Sequence, residues 1–150
     1  MRMTMMTVVL SGALAAAAAA QDSERKVRLA DVPPAVQQAI KQQSAGATLR
    51  GVAREVENGR TRYEAELEVN GRSKDVTFEA DGRIVSVEEK MTIDQIPAAA
   101  RDAIRKAAIA GKLGTIERVT EGGTTFYEAH ITTGGKKTEV KVDAFGQAVK

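Results

Sequence analysis

The chain has 150 residues, enough for one ordinary domain or two very small ones. Lys plus Arg (22) and Asp plus Glu (20) nearly cancel to a net charge of +2, without the basic excess a nucleic-acid binder carries, so DNA and RNA are not expected partners. Cysteine is absent, which removes disulfides, thiol catalysis and anchoring through a lipidated cysteine.

The first twenty residues read as a secretory signal. Arg2 supplies a positive start, Met5 to Leu14 form a short, mostly apolar run, and an alanine tract ends in Ala18-Ala19-Ala20, the small-x-small pattern that signal peptidase accepts. Charged residues follow abruptly from Asp22 to Lys26. The expected organisation is a signal peptide at 1–20, a linker at 21–30 and a mature chain in the bacterial periplasm or exterior, with no membrane association after cleavage.

Beyond the linker the chain repeats. A shift of 64 positions aligns its two halves without a gap. Val32-Pro33 falls on Ile96-Pro97, Ala39-Ile40 on Ala103-Ile104, and Tyr63-Glu64-Ala65 on Tyr127-Glu128-Ala129. Gly59, Gly71 and Gly82 meet Gly123, Gly135 and Gly146. Two tandem copies of one small module are the direct reading.

Each copy opens with a helix. Pro33 and Pro34 suit a first turn, where a missing N–H costs nothing, and Asp31 is a candidate N-terminal acceptor. Val36, Ala39 and Ile40, then Ala100, Ala103, Ile104 and Ala107, recur at helical spacing. Four strands are expected next, at 49–57, 61–69, 73–79 and 83–89, with equivalents 64 positions on. The pairs Asn58-Gly59, Asn70-Gly71 and Asp81-Gly82 between them accept the positive φ of tight hairpins. Connections this short forbid parallel crossovers, so the fold class is α+β, each repeat one helix packed on a four-stranded antiparallel meander. Val52 and Val56 share parity with Arg50 and Arg54, which calls for either a bulge or a partly exposed first strand. The copies are expected to pack together or to extend one another's sheet, and the last strand of the second copy is short.

In the second strand Tyr63, Ala65, Leu67 and Val69 alternate with Arg62, Glu64, Glu66 and Glu68, placing an apolar face under the helix and a charged face toward water. Asp75 and Glu79 join the charged face by parity, as do Glu128, His130 and Lys141 in the second copy. These nine residues are the candidate binding face, suited to a basic protein surface or, less directly, to a divalent cation. His130 is the single imidazole, and Ser23, Ser44, Ser73 and Ser86 fall in no nucleophile motif. No catalytic residue, cofactor site or metal site is therefore expected.

The order of Val-Pro or Ile-Pro, helix, Gly-bounded strands, Tyr-Glu-Ala and then Asp81-Gly82-Arg83-Ile84 resembles the PepSY-like, β-lactamase-inhibitor-like domains. In the second copy Asp143-Ala144-Phe145-Gly146 is a looser version of the last motif. The resemblance covers about 31–150 and implies a leading helix on an antiparallel sheet, with protein binding or inhibition outside the cytoplasm as the role. The combined expectation is a non-catalytic extracytoplasmic binding protein with a protein partner, the alternative being a small-ligand or divalent-cation scavenger of the cell envelope.

Overall fold

The computed structural model describes residues 23–149, so the expected signal segment at 1–20 lies outside the described residues. The strands are β1 (Ser23–Lys26), β2 (Thr48–Glu57), β3 (Arg60–Val69), β4 (Arg72–Phe78), β5 (Ile84–Met91), β6 (Lys112–Glu121), β7 (Thr124–Thr133) and β8 (Lys136–Val142). They form one eight-stranded sheet in sequence order, each strand antiparallel to the next. Two helices, α1 (Pro34–Gln43) and α2 (Ala98–Ala107), open the two copies.

Both helices start where proline fixes the backbone. Pro33 and Pro97 are the cap residues, with φ −53° and ψ near 145° in each case, and neither helix has a side-chain cap. Asp31 does not cap α1 as expected. Its carboxylate instead accepts two hydrogen bonds from the Arg28 guanidinium, at 2.7 and 2.8 Å, within the short 3-10 turn before the helix. The guanidinium is the better partner because it offers two aligned charged donors.

The hairpins follow the glycine pattern. Asn58-Gly59, Asn70-Gly71, Gly122-Gly123 and Gly134-Gly135 all have positive φ at both positions, the type I′ requirement that matches the strands' twist. In β2 a register shift lies between Leu49 and Gly51, so Leu49 and Val52, facing Leu67 and Ala65, both point to the helix side. β6 repeats it between Leu113 and Ile116. A bulge is thus the reason the first strand of each copy alternates poorly.

Directly opposed residues of an antiparallel ladder share a face, and the β5–β6 ladder that joins the copies has no register shift. Val36 and Ile40 pack on Val52, Ala65, Leu67, Val76 and Phe78, while Ala100 and Ile104 pack on Ile116, Ala129 and Val142. Both helices therefore cover the same face of the sheet. Each large apolar side chain buried in these clusters contributes about 1.5–3 kcal/mol relative to an exposed one. The copies extend one another's sheet through β5 and β6, paired from Ser86↔Glu121 to Met91↔Ile116, and the Arg118 guanidinium grips Glu89 across this junction.

The two ends of the sheet differ from its middle. Residues 21–30, expected as a linker, contain β1, whose four exposed residues carry no periodic signal and are ordered by the edge of β2. The fourth strand of the second copy is reduced to one bridge, Val142↔Ala148, with the Val149 amide donating to the Lys141 carbonyl at 3.0 Å. The turn from Asp143 to Gln147 repeats the one from Glu79 to Arg83 in the first copy: the Asp143 and Glu79 amides donate to the Gln147 and Arg83 carbonyls at 2.9 Å.

Candidate binding face

The face without helices carries the candidate residues, because each stands opposite another of the same parity. One row crosses the sheet as Glu66, Asp75 and Glu88 on β3, β4 and β5. A second row runs Lys90, Glu117, Glu128 and Lys141 from β5 to β8. Glu64 stands two residues before Glu66 on β3 and pairs with Ala53 and Thr77. Like charges directly opposite one another destabilise a sheet, so three carboxylates in one row are a cost that the core must offset.

Some of these carboxylates have counter-charges. Lys26 lies 3.4 Å from Glu66, Arg50 grips Glu68 at 2.6 Å, and Lys141 meets Glu128 at 3.1 Å. Arg62 is shared between Glu57 at 3.2 Å and Glu79 at 3.7 Å, and Glu79 also lies 3.8 Å from Arg83. Arg62 and Glu79 thus form their own charged group at the hairpin end of the face. Among the described residues, no salt bridge reaches Glu64, Asp75, Glu88 or Glu117.

The electrostatic consequence is consistent across the four. Burial pushes the Glu64 carboxyl up to about 8, with the Glu55 carboxylate as the next cause and Asp75 and Glu24 adding to it. Burial is also the first cause of the upward shifts at Asp75, Glu88 and Glu117. Glu66 adds to the shift of Asp75, Glu117 and Glu128 to that of Glu88, and Glu128 to that of Glu117. A Ser73 hydroxyl donating to Asp75 at 3.2 Å offsets only part of it. Neighbouring carboxylates raise one another's proton affinity, an effect that His130 and Lys90 oppose at Glu117 and Lys141 opposes at Glu88.

The face is less wet than its alternation implies. Ala53, Val119 and Phe126 lie on it yet are buried. Phe126 is shielded by Lys141, whose Nζ lies 5.7 Å from the ring centroid, so the aliphatic stem covers the ring while the charge reaches Glu128.

Of the nine sequence candidates, Glu64, Glu66, Glu68 and Asp75 come together around one shallow pocket that Arg50 and Ser73 also line. Glu128, His130 and Lys141 form a second group on β7 and β8. Sequence reading missed Glu55, Glu88 and Glu117. Glu117 aligns with Ala53 in the first copy, so the repeat gave no signal for it, and Glu88 lay in the segment joining the copies. Sheet parity carried through β5 and β6 would have found both. Glu117, Glu128 and His130 offer ligand atoms within 4.8 Å of one another, a grouping that no sequence motif announces. Among the described residues, no helix is long and apolar enough to cross a membrane.

Comparison with known proteins agrees with this architecture. Residues 90–149 match the family model described as "Peptidase propeptide and YPEB domain", PepSY, and residues 20–85 match the PepSY-like model described as "Putative beta-lactamase-inhibitor-like, PepSY-like". No curated protein matches the chain. Among solved structures, a protein of Bacteroides eggerthii described as "putative periplasmic" aligns with TM-score 0.67 and 21% identity over 79% of this chain and 86% of that one. A BLIP-like protein of Bacteroides fragilis aligns with TM-score 0.62 and 20% identity over 79% and 84%, and a DUF2874 family protein of Bacteroides uniformis with 0.67 and 20% over 79% and 87%. At such identities these likenesses establish the fold.

Proposed function

This chain belongs to the PepSY and PepSY-like family in both of its halves, and from that premise we propose that it is a non-catalytic binding protein acting outside the cytoplasm. Its partner is a protein presenting a basic surface, and the consequence of binding is inhibition or regulation by occupation. The module boundaries are 31–90 and 91–150, behind a leader cleaved near Ala20.

The observation that carries this reading is the group of Glu64, Asp75, Glu88 and Glu117, which share one sheet face with no salt bridge among the described residues. Carboxylates that repel one another in the free protein are relieved when lysine or arginine side chains of a partner enter between them. The free molecule is thus prepared for a cationic surface at the cost of its own stability. The family descriptions favour inhibition, since one names a peptidase propeptide and the other a β-lactamase-inhibitor-like domain, and the structurally similar protein of Bacteroides fragilis is described as BLIP-like. The periplasmic description of the Bacteroides eggerthii protein supports the compartment.

Lysines on opposite sides of the sheet make the reading testable by cross-linking. Lys26, Lys90 and Lys141 lie on the helix-free face or at its parity, whereas Lys41 and Lys106 lie on α1 and α2. With 21–150 as bait in envelope extract, cross-links to the captured protein are expected at the first three. Cross-links confined to Lys41 and Lys106 would place the partner on the helices and contradict the proposal.

A further inference from the structure

We propose that Glu117, Glu128 and His130 form a binding site for a divalent transition cation of the zinc type, specific to the second copy. It shares Glu117 with the protein-binding reading but stands on a separate observation, the grouping of the three donors.

The donor set is two carboxylates and one imidazole, the mixed oxygen–nitrogen chemistry that suits zinc and its neighbours better than calcium or magnesium, which take oxygen alone. The three residues come from two adjacent strands. Glu117 and Glu128 are direct partners across the β6–β7 ladder, and His130, two positions along β7, points to the same side. The His130 Nε2 lies 3.8 Å from Glu128 Oε1, and all three ligand atoms fall within 4.8 Å of one another. Bonds of about 2.0–2.2 Å in a tetrahedron place donors about 3.3–3.6 Å apart, so closing the site takes side-chain movements of about 1 Å. All three residues are half-buried, on strands that hold their backbones in register.

The surroundings of the donors strengthen the case. The imidazole's other nitrogen, Nδ1, faces Glu139 Oε1 at 3.7 Å across the β7–β8 ladder. A carboxylate behind a ligating histidine fixes its tautomer and raises its basicity. The other oxygen of Glu128, Oε2, is held by Lys141 at 3.1 Å, which leaves Oε1 toward the imidazole. Two of the three ligands thus have a charged partner on the atom that is not needed for the metal. Protein donors fill three positions, leaving the fourth to water or to a group from a bound molecule.

The first copy cannot form this arrangement. The positions aligned with Glu117, His130 and Lys141 are Ala53, Glu66 and Thr77, while Glu64 and Asp75 stand where Glu128 and Glu139 do. The scaffold is shared and the donors are not.

Titration of the metal-free chain with zinc chloride by calorimetry tests the site, with cobalt(II) as a spectroscopic probe. One zinc per chain is expected, together with the visible bands of a tetrahedral cobalt centre. His130→Ala should weaken zinc binding by roughly 100-fold or more and remove the cobalt bands, and Glu139→Ala should weaken binding by roughly 10-fold. Asp102→Asn, an exposed residue of α2, should leave binding unchanged. Circular dichroism on each variant separates loss of the site from loss of the fold. Absence of zinc binding by the folded chain, or binding that survives His130→Ala, would overturn the proposal.

Discussion

Asp75 and Glu88 are direct partners across the β4–β5 ladder, two carboxylates where a sheet ordinarily places opposite charges. Glu66 continues the row on β3, and of the three only Glu66 has a salt bridge among the described residues, to Lys26 at 3.4 Å. Local rules broken on one face of an otherwise consistent fold are what the proposed binding role requires of that face. The helix-covered face shows no such conflict: its buried residues are all apolar.

The pH dependence of stability should carry the signature of this face. With the Glu64 carboxyl at about 8 in the folded chain and an ordinary value of 4.5 when unfolded, the native state holds a proton that the unfolded state has released. Stability from this group is complete below 4.5 and is lost as pH rises through 8. One such group changes stability by at most about 1.4 kcal/mol per pH unit, and partial exposure reduces that further. The melting temperature should therefore be higher at about pH 5.5 than at pH 8, and Glu64→Gln should flatten the profile and raise the value at pH 8. An unchanged slope in the variant would assign the effect elsewhere.

Two glycines seat the turn after the third strand of each copy against its helix. Gly82 has φ +84° and Gly146 φ +77°, and a Cβ on either would lie 2.7 or 2.6 Å from the carbonyl oxygen of Ala35 or Ala99. Gly82→Ala and Gly146→Ala should each cost about 2–4 kcal/mol, strain plus displaced helix. Gly59→Ala, at φ +75° with open space around it, should cost only about 1 kcal/mol. Urea denaturation of the three variants measures the difference.

Phenylalanines separate core from surface in the same way. Phe78 is fully buried in the first copy's core, and Phe145 is 79% exposed. Phe78→Ala should destabilise by about 3–5 kcal/mol, while Phe145→Ala should stay within about 0.5 kcal/mol. Equal losses would mean that Phe145 is covered in solution by another molecule.

Much of this molecule is legible without coordinates. The duplication, the helix starts at Pro33 and Pro97 and the hairpins at Asn58-Gly59 and Asn70-Gly71 follow from local chemistry, where a single residue type decides the backbone. Parity within β3 correctly places Glu64, Glu66 and Glu68 on one face. What lies beyond reach is pairing between distant segments. β1 is four exposed residues that become a strand only because β2 offers an edge. The β5–β6 register decides that Lys90 faces Glu117 and Glu88 faces Val119, and no local pattern encodes it. The compensation of Glu68 by Arg50 likewise depends on the register across the bulge, so charge counting alone overstated Glu68 and omitted Glu88.

On the proposed reading, the carboxylates of the helix-free face that lack a salt bridge are kept for a cationic partner. The variant Glu64→Gln/Asp75→Asn/Glu88→Gln removes three of those carboxyl groups at little change of shape and leaves Glu117, Glu128 and His130 intact. Its melting temperature and its capture of the cross-linked partner from envelope extract, beside those of the unaltered chain, are the decisive pair of numbers. A higher melting temperature and lost capture are expected in the same protein. Capture that survives neutralisation, or a folded unaltered chain that captures nothing, would contradict that reading.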